Sequence, residues 1–191
     1  MQNERINAFS DGVIAIIITI MVLELKAPHE ANWETLQALA PEVLSYVLSF
    51  VYVAIYWNNH HHLMHTVESV DGGILWANMH LLFWLSLVPF ATKWLGAAHF
   101  EQIPTAIYAV ILLMSAIAYY ILQIAIVRRH GEDGKLAQAI GSDVKAKLSL
   151  ALYAASIGLA FVSPWISQAI FAVVALIWIV PDRRIEKALQ S

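Results

Sequence analysis

Cysteine is absent from the 191-residue chain. Its absence excludes disulfides, thiolate metal sites and cysteine nucleophiles together. Charge is nearly as scarce. Asp, Glu, Lys and Arg make up 13% of the residues, where a water-soluble domain carries about 25%. Eleven basic residues against fourteen acidic ones leave a net charge of −3, which offers no basic footprint for nucleic acid. So little charge cannot cover the surface of a soluble globule of this size. Hydrophobic residues reach 60% and the mean hydropathy is +0.65. Lipid is the expected solvent.

The uncharged runs set the architecture. A helix crossing a hydrocarbon core of about 30 Å needs roughly 20 apolar residues. Residues 12–23, 43–67, 72–92, 102–127 and 148–181 contain no Asp, Glu, Lys or Arg. The three middle runs each suit one span. The last is too long for one helix and holds Ser163-Pro164 near its middle. Proline resists a helix interior and pushes the residue before it out of the α region. This run therefore reads as a hairpin of two short spans, 146–162 and 165–180. The first run extends to 6–25, with Asp11 and Glu24 near its ends. It lacks the basic start and small-residue cleavage site of a signal peptide. The expectation is a single all-α domain over 1–191 with six spans: 6–25, 41–65, 72–95, 103–128, 146–162 and 165–180. Continuous rather than alternating apolar runs exclude a transmembrane barrel.

With six spans, Arg5, Arg128, Arg129, Lys135, Lys145, Lys147, Arg183, Arg184 and Lys187 fall on one side, against Lys26 and Lys93 on the other. The excess of basic residues marks the cytoplasmic face, so both termini are expected there. The connections are thin. Segments 26–40 and 128–145 and the tail 181–191 leave no room for a soluble catalytic domain.

The first span is the anomalous one. It opens Arg5-Ile6-Asn7-Ala8-Phe9-Ser10-Asp11 and runs directly into apolar sequence. An acid inside a span is a functional-site candidate, although Ser10 and Asp11 equally suit plain capping of a helix start. At 100° per residue, Phe9, Gly12, Ile16, Ile20 and Leu23 share one stripe, bordered by Thr19. Ser10 and Asp11 point away from it, toward neighbouring helices. Pattern alone leaves ordinary packing and a functional face both open for the stripe.

The second span ends Trp57-Asn58-Asn59-His60-His61-His62, with His65 beyond, and the third begins with Asn78 and His80. Topology brings these groups to the depth of Arg5 through Asp11, where they can satisfy one another. His61 and His65 are spaced i, i+4, a chelating interval. The glutamate of the protease helix motif is missing, since His62 follows His61, and no metal is expected. Imidazole titrates at about pH 6.5, which also admits proton sensing.

Arg5-x-x-x-Phe9-Ser10-Asp11 at the start of six spans resembles the prokaryotic branch of the lysosomal-type potassium channels, the transmembrane protein 175 family. Trp57-x-x-His60-His61, Asn78 and Pro89-Phe90 support the resemblance, which covers essentially the whole chain in layout. It implies a homotetramer without the usual potassium filter, its first helices lining a central pore. By position, Ile16 would form a hydrophobic constriction, with Ile20 and Leu23 as further lining and Thr19 as a polar neighbour. Arg5, Phe9, Ser10, Asp11, Trp57, His60 or His61, and Asn78 would hold the first helix against spans two and three; the motif leaves open which histidine serves. The expected activity is weakly selective potassium conduction across the plasma membrane. Potassium ions would be the permeant species, the partners lipid and further copies of the chain, with no cofactor and no enzymatic chemistry. Glu24, Glu30, Glu34, Glu42 and Glu101 would enrich cations at the outer mouth. A proton- or cation-coupled transporter using the His/Asp cluster is the alternative. It meets the objection that 191 residues leave little room for two repeats.

Overall fold

A backbone in lipid must satisfy its own N–H and C=O groups, so each long apolar run closes into a helix. The computed structural model describes residues 3–28, 30–67, 69–130 and 144–179. Among these it forms eight helices and no strand. They are α1 (Asn3–Leu23), α2 (Trp33–Ala38), α3 (Ala40–His65), α4 (Gly72–Ser86), α5 (Val88–Ala97), α6 (Gln102–His130), α7 (Val144–Val162) and α8 (Pro164–Ile179). By length and composition, α1, α3, the α4–α5 pair, α6 and α7 can each cross a membrane, while α8 is a shorter apolar helix of 16 residues. The chain is a multi-pass, all-helical membrane protein. The 128–145 connection beyond His130 up to Val144, with Lys135, and the tail with Arg183, Arg184 and Lys187 lie outside the described residues.

The main differences from the sequence expectation fall at two places; elsewhere the helix ends agree to within two residues. The first helix runs 3–23 rather than 6–25. The 72–95 span is two helices, interrupted at Leu87. Pro89 explains the break, because its missing N–H is harmless in a first turn and disruptive in a helix interior. Asp71 caps the start of α4, its carboxylate accepting the Ile74 N–H at 2.9 Å, the favoured arrangement at a helix start. The connection between α1 and α3 carries the short α2, capped by Asn32 through the Thr35 N–H at 2.9 Å.

Helix α6 is the central post, packed against α4, α5, α7 and α8. The α7–α8 hairpin turns at Ser163, and Ser167 donates to the Ser156 carbonyl at 2.9 Å across it. Helix α3 lies against α5 and α8. At Gly96 of α5 the two backbones come so close that a Cβ would sit 2.7 Å from Glu42 Cα. The turn from α5 into α6 holds His99 and Phe100 at positive φ, 49° and 61°. Strain of about 1–2 kcal/mol per such residue is offset by burial of the Phe100 ring against Trp165, 5.5 Å between centroids. Helix α1 packs on α3, α4 and α5, at the edge of the bundle.

Candidate functional site

Helix α1 has two unlike faces. Ile6, Ser10, Ile14, Ile17 and Met21 are buried against the bundle, a row at the three- and four-residue intervals of one helical face. The opposite face carries Phe9, Gly12, Ile16, Thr19, Ile20 and Leu23, all exposed in the single chain. Ile16 is 60% exposed and Leu23 74%. An apolar row this long and this open requires either lipid or another protein surface against it. The Thr19 hydroxyl donates back to the Ala15 carbonyl at 2.9 Å. Its proton is thus committed to its own helix, and its lone pairs face outward.

Beneath that stripe, where α1 begins, α3 ends and α4 begins, a polar clasp holds the helix. Asn78 of α4 is its bridge. The amide Nδ2 donates to Ser10 Oγ at 2.9 Å, and Oδ1 receives His60 Nε2 at 2.7 Å. An amide oxygen only accepts, so His60 carries its proton on Nε2. All three side chains are buried, where an unmade bond would leave a desolvated polar group. Alongside, the Trp57 indole N–H donates to Asp11 Oδ1 at 2.9 Å. Hydroxyl, amide and imidazole form one chain, and carboxylate and indole the second.

The structure brings together Ser10, Asp11, Trp57, His60 and Asn78. Phe9 instead stands on the outer stripe with Ile16, Ile20 and Leu23. Arg5 is exposed, and no ion pair joins it to another described residue. Of the two candidate histidines, His60 reaches Asn78. His61 is exposed, stacks on the Trp57 ring at 5.7 Å, and meets His65 with their Nε2 atoms 3.1 Å apart.

Two further groups position α1, a role that the sequence reading assigned to neither. At its far end, Lys93 of α5 donates to Glu42 of α3 at 2.6 Å and to the Glu24 carbonyl at 3.2 Å. This ammonium ties the residue that follows α1 to α3 and α5, and it neutralises Glu42. Beside Lys93, Thr92 Oγ1 lies 2.6 Å from Ser49 Oγ, which lies 2.8 Å from the Tyr108 hydroxyl. Thr92 also touches the sulfur of Met21 on α1 at 4.0 Å. The available signal was only that hydroxyls sit inside apolar runs.

The sequence model of the endosomal/lysosomal potassium channel TMEM175 family matches residues 5–89, the stretch from α1 into α5 that contains the clasp. A potassium channel of Chryseobacterium sp. (strain P1-3) is 55% identical over 191 residues, the whole of both chains. A potassium channel of Streptomyces collinus is 30% identical over 186 residues, 92% of this chain and 90% of that one. The crystal structure of a lysosomal potassium-selective channel TMEM175 homolog from Chamaesiphon minutus superposes with a TM-score of 0.81 at 31% identity. It covers 94% of this chain and 97% of that one. With full-length relatives on this scale and the same fold, the chain belongs to the TMEM175 potassium channel family, a family of channels and not of enzymes.

Proposed function

We propose that four copies of this chain surround an axis lined by α1 and conduct potassium through it, with Ile16 as the narrowest ring. The observation that carries this reading is the outer face of α1. It is continuous from Phe9 to Leu23, apolar and uncovered, and is backed by an inner face fully engaged with α3, α4 and α5. Four Ile16 side chains meeting at an axis make a neck in which water is unfavourable, so the neck gates by dewetting. A cation crossing it sheds part of its hydration shell. Potassium holds water less strongly than sodium, which gives a modest potassium preference without carbonyl cages. Thr19 supports this reading one turn further on, because its outward lone pairs can replace lost water. Ile20 and Leu23 line the wider mouth. There Glu24 forms no ion pair with another described residue, whereas Lys93 cancels the charge of Glu42.

The clasp has the complementary task of fixing the rotation of α1 so that Ile16 meets the axis. Six spans with both termini in the cytoplasm, at the plasma membrane, fit the segregation of basic residues. The deciding experiment is Ile16→Asn in reconstituted bilayers under opposed potassium and sodium gradients. The expected outcome is larger conductance and a reversal potential shifted toward equal permeability. Currents identical to those of the parent protein would mean that the stripe faces lipid.

A further inference from the structure

The His61–His65 pair belongs to neither the stripe nor the clasp, and its geometry is specific. The two residues stand one turn apart at the exposed end of α3. Their rings are 4.4 Å apart at 77°, and both turn Nε2 inward to a separation of 3.1 Å. Two imidazole nitrogens bound to one ion at about 2.0–2.1 Å and separated by 3.1 Å subtend roughly 98° at it. That angle lies between the octahedral and tetrahedral values.

We propose that His61 and His65 form a two-imidazole binding site for a divalent transition ion of the zinc, nickel or copper class. Imidazole selects these metals and not potassium, a hard cation that takes oxygen ligands, so the site is chemically separate from any permeation path. Among the described residues no cluster of three or more His, Asp or Glu groups is assembled, and the exposed position leaves room for water as further ligands. His61 lies on the Trp57 ring that holds Asp11. An ion here stiffens the end of α3 that carries both Trp57 and His60.

The test is Cu2+ electron paramagnetic resonance and Zn2+ calorimetry on tag-free protein in detergent. One ion per chain is expected, with splitting from two nitrogens. His65→Gln should abolish both signals, while His62→Gln keeps them. His65 is exposed and outside the clasp, so its substitution leaves the fold intact. Saturating Zn2+ should also raise the Tm of the parent protein and leave that of His65→Gln unchanged. A copper spectrum unaltered in His65→Gln, no saturable zinc heat, or an equal Tm rise in both proteins overturns the site. The first and second outcomes would leave the pair as a plain imidazole–imidazole hydrogen bond.

Discussion

Asn78 is the side chain whose two ends serve different helices, so its substitution is the sharpest probe of the clasp. Asn78→Leu keeps the branched four-atom side-chain skeleton but strands both the His60 Nε2–H and the Ser10 hydroxyl in a buried place. Interhelical bonds inside membranes are individually modest, but unpaired buried groups cost more; the expected loss is about 1–3 kcal/mol. Thermal unfolding in detergent checks it, and a variant as stable as the parent would show that the bridge carries nothing. Asp11 separates charge from bonding. Asp11→Asn retains an oxygen for the Trp57 indole and should stay near the parent, whereas Asp11→Ala leaves that donor unmatched and should weaken assembly. The sequence made Ser10 and Asp11 legible because polar groups inside a span need partners. It could not choose between His60 and His61, since neighbouring residues on a helix point 100° apart and only the packed position of α4 decides. Ser49, Thr92 and Tyr108 were illegible for a related reason. A hydroxyl in an apolar run looks like filler until its partner, here 43 and 59 residues away, is known.

At the scale of elements, run length revealed the helices and proline their breaks. The α7–α8 turn was legible because Ser163-Pro164 sits inside a run too long for one span. The α4–α5 interruption was hidden because 72–92 already had the right length, although Pro89 was there to mark it. The close approach of α3 and α5 was equally hidden, since Gly96 reads as an ordinary small residue until α3 lies against it. A methyl group there would stand 2.5 Å from Ser45 Oγ and 2.7 Å from Glu42 Cα. A side-chain oxygen can rotate away, but the Glu42 backbone cannot. Gly96→Ala must therefore push α3 and α5 apart, for a cost of about 1–3 kcal/mol, the usual penalty of overpacking. Gly158 of α7 is the matched control, with nothing within 4 Å of its added methyl. Gly158→Ala should leave stability unchanged or raise it by up to about 1 kcal/mol through helix propensity. Unfolding midpoints of the two variants should move in opposite directions or differ widely; equal midpoints would mean that the α3–α5 contact is loose.

For the whole molecule the question is what covers the outer face of α1. Lipid tails give no hydrophobic drive for helices to associate, so assembly depends on close packing. The same face offers small residues for it: Ala8, Gly12 and Ala15 run beside Ile16 and Ile20, all of them exposed in the single chain. Such a row lets a neighbouring helix come near while the bulkier row beside it points to the axis. The absence of cysteine makes this directly testable, since a single introduced thiol has no background. Ile16 and Ile17 are adjacent in sequence, yet Ile16 is 60% exposed and Ile17 3%. Around an axis lined by α1, Ile16→Cys brings thiols of neighbouring copies together at the narrowest level. A short thiol-specific cross-linker should then yield covalent dimers, and a water-borne thiol reagent should reduce current. Ile17→Cys, enclosed by its own chain, should do neither while folding comparably. If the two variants cross-link alike, or if Ile16→Cys stays uncoupled and its current unaffected, the stripe lies against lipid and α1 lines no passage.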